Sequence, residues 1–454
     1  MLPALLLATA VTPAQPPASA YYPPGTLPTR TTQVQIPIAP GVGRVVQPAQ
    51  PGTLPMSVQP APTSGGKDFP GVEDPTASKE QKEAEEESGP QKYLLERTIE
   101  GTRFGEILGN RGITIYGWTQ MSYSPSTASG SNVPVFMNDR ANEFLLNQNY
   151  LVVEKTLDTS KDEFQWGWRT DWILPGSDYR TTLPRGIWNG QFTRNNGGPE
   201  LYGIDPFQFY TQAYLPGIGD GTTVKLGRFA THCSYELVQA ADTPFLSRSY
   251  MFQYNPFTHT GVWASTALGD NWTVSYGAAT GSDTFIDAPT NRLTFLGALK
   301  WAPKDGDTTA TVNVVATNPK FIAAENFQVY NYYGLLVTQK LTEKLSYVLD
   351  AGYSHMNDAP GVGFTDWYGA AQYLSFAHND CFTSTLRFEL FNDADGIRTG
   401  FEGLYTAVTY GLAYKPLPGV LIRPFARYDN NNRTEVWEGN QSLFTGGLDV
   451  ILRW

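Results

Sequence analysis

The stretch GGLDVILRW, residues 446–454, decides how the chain is read. Leu448, Val450, Leu452 and Trp454 fall on one side, and Gly447, Asp449, Ile451 and Arg453 on the other. Alternation with period two, rich in β-branched and aromatic residues, marks a strand whose two faces meet different media. The run ends on its largest side chain.

The same dyad recurs upstream. FQWGWRTDW sets Phe164, Trp166, Trp168, Thr170 and Trp172 against Gln165, Gly167, Arg169 and Asp171. WTVSYGA, RLTFLGALKW, LSYVLDAGYS and FTSTLRFELF repeat it. From Ile113 to the end this texture is constant and reads as about sixteen strands. The gaps between them sort by parity. Short gaps (DTSKD, GIGDG, GD, PKDGD, TE, HND, PLP) alternate with long ones at 124–142, 175–205, 231–258, 281–291, 318–330, 356–365, 393–403 and 430–441.

A soluble sandwich or propeller has no reason to sort its loops in this way. A transmembrane barrel does, because it has short turns at one mouth, long loops at the other and an even strand number. The apolar faces end in aromatics such as Trp272, Trp301, Tyr414 and Trp454, as belts at membrane interfaces would. A mean hydropathy of -0.31 does not oppose this, because lipid-facing and lumen-facing residues average out. No stretch is long and apolar enough for a membrane helix. The last strand is therefore expected to close on the first, ITIYGWTQMSY. Its aromatic end resembles the terminal signal read by the barrel assembly machinery, with Phe444, Leu448, Val450, Leu452 and Trp454 carrying it.

Composition narrows the function. With 32 Lys+Arg against 43 Asp+Glu and a net charge of -11, the chain lacks the basic footprint of a nucleic-acid binder. Two cysteines, Cys233 and Cys381, and four histidines leave little for a metal site, and none is expected. Residues 1–20, MLPALLLATAVTPAQPPASA, have a short apolar core and an Ala-x-Ala ending, as an export signal would, though without the usual leading Lys or Arg. Residues 21–90 are Pro-rich and then charged, unable to bury a core, and are expected to be disordered. Residues 91–112, with Leu95, Ile99, Phe104, Ile107 and Leu108, allow a short helix weakened by Gly101 and Gly105. The barrel then occupies 113–454.

Several segments, taken in order, resemble the OmpL-like putative β-barrel porin family. They are ITIYGWTQ, WRTDWILPGSDYRT, LGRFATHCSYELVQAADTPFLSRSYMFQYNPFTHTGVW, WYGAAQYLSF, LRFELFNDADGIRTG and YGLAYKPLPGVLIRPFARYDNN. The likeness covers 113–454 and implies a bacterial outer-membrane pore. One departure is Phe425, where this family leads one to expect an acidic residue.

Candidate lumen residues are Arg169, Asp171, Asp350, Arg387, Glu389, Arg423, Arg427 and Asp429. Rows of arginine facing carboxylate can orient solutes and set ion preference, or they can simply brace the wall as ion pairs. The long gap 231–258, with Glu236, Asp242, Arg248 and Tyr250, is the favoured constriction, because loops of that size are usually functional. The gap 175–205, with Asp178, Arg180, Arg185 and Arg194, competes with it. The facing of Lys225 and Arg228 stays open. Four scattered histidines, without GxSxG or HExxH, argue against an enzyme even if a carboxylate reached His259. The expectation is an all-β outer-membrane barrel passing small hydrophilic solutes by diffusion, without a cofactor. Its expected partners are the lipid bilayer, the assembly machinery and further copies of itself, not nucleic acid. A plugged structural or adhesive barrel, and a secreted carbohydrate-binding protein, are the alternatives.

Overall fold

The computed structural model describes residues 93–182, 200–285, 292–303, 306–323, 326–359 and 361–454. The export signal at 1–20 and the Pro-rich stretch at 21–90 lie outside the described residues. The strands are β1 Ile113–Tyr123, β2 Phe144–Lys155, β3 Gln165–Gly176, β4 Gly203–Leu215, β5 Thr222–Ala230, β6 Thr258–Leu268, β7 Trp272–Ser282 and β8 Thr294–Trp301. They continue as β9 Thr308–Ala323, β10 Asn326–Lys340, β11 Leu345–Ala359, β12 Gly363–Asn379, β13 Phe382–Asp393, β14 Gly403–Leu417, β15 Val420–Asn431 and β16 Ser442–Arg453. Each pairs antiparallel with its neighbours in sequence, and β16 returns to β1, so the sheet closes into a barrel. Closure leaves no strand edge unpaired in an apolar medium, where each free N–H or C=O costs several kcal/mol. Among the described residues no helix is long and apolar enough to cross a membrane.

The seam depends on the final residue. Trp118 pairs with Arg453 and Tyr123 with Leu448. The Trp454 N–H donates to the Gly117 carbonyl at 2.9 Å, and the Gly117 N–H to the Trp454 carbonyl at 3.0 Å. The Trp454 indole N–H reaches Thr119 Oγ1 at 3.1 Å. A Cβ on Gly117 would stand 2.5 Å from that indole ring, so glycine there lets the terminal tryptophan lie against the wall. In β16 Phe444, Leu448 and Leu452 are exposed on the outer face, while Thr445, Asp449 and Ile451 are buried on the inner one. Leu226, Val262, Trp272, Tyr276, Leu299, Leu335, Leu386, Tyr410 and Tyr428 extend that apolar, aromatic outer surface around the barrel.

Two expected long gaps are instead mostly strand. In place of a loop over 318–330, β9 and β10 continue pairing from Asn318 with Tyr330 up to Ala323 with Asn326. Pro319 and the Asn-rich flank read as a turn. However, β8 pairs with β9 only as far as Ala316, so beyond that point β9 has one neighbour and a residue lacking an N–H is tolerated on its free edge. In the same way β11 and β12 pair up to Ala359 with Gly363, inside the gap expected at 356–365.

Ahead of the barrel, the segment read as one short helix forms two, α1 Leu94–Ile99 and α2 Arg103–Gly109. Gly101 breaks them with φ +73°, and the Thr102 hydroxyl caps α2 by accepting from the Gly105 N–H at 3.1 Å.

Cys381 sits in the short turn between β12 and β13, exposed, whereas Cys233 is buried beyond the opposite end of β5, and neither is paired. A maleimide-polymer reagent should therefore label Cys381 in the folded protein and Cys233 only after unfolding. Recovery of a Cys233–Cys381 cross-link from unreduced protein would contradict this topology.

Candidate functional site

Residues 231–257 connect β5 to β6 without leaving the barrel. They contain only a 3₁₀ turn at Ala240–Asp242 and one short helix, Tyr250–Gln253. Almost every one of these residues is buried. Their partners lie on β2, β11 and β13 to β16, strands remote from the loop's own roots. The segment therefore crosses the lumen and lies on the far wall.

Irregular backbone cannot be buried unless its N–H and C=O groups find partners. Here charged side chains of the wall supply them. Asp350 accepts from the Tyr235 N–H at 3.0 Å, and Glu389 from the Tyr250 N–H at 2.7 Å. In the other direction, Arg387 donates to the Ser247 carbonyl at 2.9 Å, Arg427 to the Arg248 carbonyl at 2.7 Å and Arg423 to the Ala240 carbonyl at 3.0 Å. Arg423 also reaches the Thr243 carbonyl. At the tip, Arg453 donates to the Ala241 carbonyl at 3.0 Å and pairs with Asp242 at 2.9 Å. On β2 the Gln148 amide brackets the turn, donating to Val238 O at 2.7 Å and accepting from Ala240 N–H at 3.1 Å.

These side chains are themselves neutralised. Arg387 pairs with Glu236 at 2.6 Å and Glu389 at 2.8 Å, Arg427 with Asp429 at 2.7 Å and Glu389 at 3.4 Å, and Arg423 with Asp449. Arg169 pairs with Asp171 at 2.6 Å and Glu154 at 3.3 Å, away from the loop. Within the loop, Glu236 also accepts from the Ser249 N–H at 2.7 Å, and Arg248 ties its own segment by donating to Leu237 O and Leu246 O at 3.0 and 2.9 Å. Burial pulls the Arg248 guanidinium down to about 10 against the opposing pull of Glu236. Tyr250 is a hub, with its hydroxyl on Asp429 at 2.8 Å, its ring stacked near Phe391 and Tyr405, and the Arg427 guanidinium 5.1 Å above it.

Apolar contacts complete the seat. Phe245 packs with Phe425, Val348, Ala371 and Tyr373. Phe425 thus lies on the inner face between Arg423 and Arg427, and the acid expected there is replaced by a hydrophobic rest for Phe245. Glycines in the wall let the loop come close, since a Cβ would stand 2.7 Å from Met251 Cε at Gly352 and 2.8 Å from Met251 Sδ at Gly369.

All eight wall residues named from sequence thus face inward, and Asp350, Arg387, Glu389, Arg423, Arg427 and Asp429 meet one loop, while Arg169 and Asp171 do not. Glu236, Asp242, Arg248 and Tyr250 all take part. From the competing gap, Asp178 and Arg180 are buried beside the loop at 124–142, with Arg180 on Asp139 at 3.2 Å. Arg185 and Arg194 lie outside the described residues. Sequence reasoning missed Gln148, Asp449 and Arg453. It left open the facing of Arg228, which is buried and bonds Asp205 at 2.8 Å. Period two in β16 already put Asp449 and Arg453 on the inner face, so that signal existed. For Gln148 there was none.

Arg387→Ala would leave Glu236 and Glu389 short of a buried partner, at a cost of about 3–5 kcal/mol. This should appear as a lower temperature for loss of the folded band in a heat-modifiability gel. Burial pushes the Asp178 carboxyl from 3.8 up to about 7. A carboxyl raised on folding costs stability as pH rises from its unfolded value through its folded one. Asp178→Asn, which keeps an acceptor for the Gln148 amide, should stabilise the barrel more at pH 8 than at pH 5. Equal gains at both would refute a buried titrating carboxyl.

Solved structures with the same architecture are bacterial outer-membrane channels. OprB of Pseudomonas putida superposes with TM-score 0.52 at 13% identity, covering 78% of this chain and 96% of that one. The anion-selective porin from Comamonas acidovorans gives 0.51 at 9%, covering 75% and 99%. The outer membrane channel DcaP of Acinetobacter baumannii gives 0.51 at 11%, covering 75% and 97%. At such identities the likeness is one of fold. No curated protein matches the sequence. The family match, however, runs over residues 112–454, nearly the whole described chain, and the chain belongs to the putative beta-barrel porin-2, OmpL-like family of outer-membrane porins.

Proposed function

We propose that the barrel passes small hydrophilic solutes by diffusion and that residues 231–257 form its constriction. The observation that carries this reading is the loop's course, into the barrel and across to the far wall, where the wall's charges hold it by its backbone. A sixteen-stranded barrel is wide enough to keep water beside such a loop, unlike an eight-stranded one. Asp350, Arg387, Glu389, Arg423, Arg427 and Asp429 then act as latches, leaving Arg169 and Asp171 among the residues that line the path.

Residues 1–20 would direct export, 21–90 would form an extension, 91–112 would lie at the short-turn mouth, and 113–454 would suffice for the pore. The terminal Phe444, Leu448, Val450, Leu452 and Trp454 would be read by the assembly machinery. Assembly into a homo-oligomer within the membrane is compatible with the exposed apolar wall. Diffusion needs no catalytic group, and no enzymatic step is proposed.

One observation favours a second reading. Arg387, Arg427, Asp429 and Asp449 are almost inaccessible to solvent, as in a plugged barrel. Deletion of residues 237–251, followed by single-channel recording in planar bilayers, separates the two. A rise in conductance over the intact barrel supports a constriction. Unchanged conductance moves the constriction to the loop at 175–205. Conductance in neither form would sink the pore and leave the plug.

A further inference from the structure

The wall opposite the latched loop carries two cations of a different kind. Lys225 on β5 pairs across the sheet with Gln212 and Trp263, both buried inside the barrel, while its neighbour Leu226 is exposed on the outer face. Paired residues share a face, so Lys225 points inward. Lys300 on β8 pairs with Thr273 and Thr311, and its neighbour Leu299 is exposed outside, so it points inward too. Both stand near the short-turn ends of their strands and are half-buried.

Among the described residues the inward arginines are spent on carboxylates and loop carbonyls. The lysines are not. Lys225 lies 4.8 Å over the Tyr210 ring and interacts at longer range with Arg169, Asp171 and Glu154, but it makes no ion pair with them. Among the described residues Lys300 makes no ion pair. Around them the wall is hydroxyl and amide, with Ser265 and Ser275 joined at 2.8 Å and Gln212 and Thr311 alongside. The inward acids that lack a cation partner are held elsewhere. Asp350 is buried under Ser234 and Tyr235, and Asp178 under Gln148. Among the described residues, the acids in the short turns next to them, Asp220, Asp270 and Asp307, are exposed, where salt screens a charge over about 8 Å.

Resting on the pore reading above, we propose that Lys225 and Lys300 determine the solute class, giving the pore a preference for small anions. An unneutralised charge in a lumen with low-dielectric walls focuses potential and concentrates counter-ions. The wall arginines Arg169, Arg387, Arg423 and Arg427 cannot do this, since each is paired with a carboxylate, and Arg248 is fully buried against carbonyls of its own loop.

The test is the zero-current potential of the full-length protein in a planar bilayer under a KCl gradient. The expected result is chloride permeability above that of potassium. Lys225→Gln with Lys300→Gln should bring the ratio to unity or below, with the channel still conducting. Arg at both positions should preserve it, and Lys344→Gln, on an exposed turn, should leave it unchanged. If the double variant fails to fold, Lys300→Gln alone carries the test, having no polar partner to lose, and should lower the ratio part of the way. A cation-preferring native channel, or a conducting double variant with an unshifted ratio, would overturn the assignment. Absence of current from the native protein would overturn the pore reading and this one with it.

Discussion

Everything inside this barrel follows from the need to satisfy the backbone of a long segment that has almost no secondary structure of its own. A buried N–H or C=O without a partner costs roughly as much as a lost hydrogen bond. Residues 231–257 bury dozens of such groups. The protein meets this requirement with side chains of fixed geometry projecting from a rigid sheet. Arginines on β13, β15 and β16 donate to loop carbonyls, and carboxylates on β11 and β13 accept from loop amides. Guanidinium groups suit this task because one planar fork can serve a carboxylate and a carbonyl together.

This division of labour changes the meaning of the charged rows. A row of arginines beside carboxylates suggests a transverse field across open water. Arg387, Arg423 and Arg427 instead each pair with a carboxylate of the wall as well as with the loop, and a buried pair of this kind is weak evidence for net stability. The seat is completed by shape. Phe425 takes a place between two arginines, where a carboxylate would have lost its hydration against Phe245, and glycine at 369 lets Met251 approach the wall. Because the wall's carboxylates and arginines hold the loop on one side, the other side is left with hydroxyls, amides, the self-contained pairs of Arg169 and Arg228, and two lysines.

The outer surface obeys a simpler constraint. Lipid rewards apolar and aromatic side chains and tolerates no free strand edge. The terminal strand satisfies both conditions at once. Its outward residues are apolar, and its last residue hydrogen-bonds to β1 at Gly117, where the lack of a side chain makes room for the indole.

Period two, the parity of the gaps and the aromatic ends determined the barrel, its strand count and its closure, because a strand between lipid and lumen must alternate at every position. They also put each of the eight wall residues on the inner face. What they could not decide was where that face is wet. Alternation assigns a side to Arg387 and to Lys300 alike, yet one is sealed beneath a loop and the other is not. That difference depends on the path of residues 231–257, which no periodicity encodes, and on partners such as Gln148 and Val238 that lie 90 residues apart in sequence. The facing of Lys225 was obscured for a related reason. Gly227, between Lys225 and Arg228, has φ +135°, and the pairing of Lys225 with Gln212 on β4 and Trp263 on β6 is what resolves it. In the upper part of β9 and β10, Pro319 looked like a turn, because whether a strand has one neighbour or two is a property of the sheet and not of the strand.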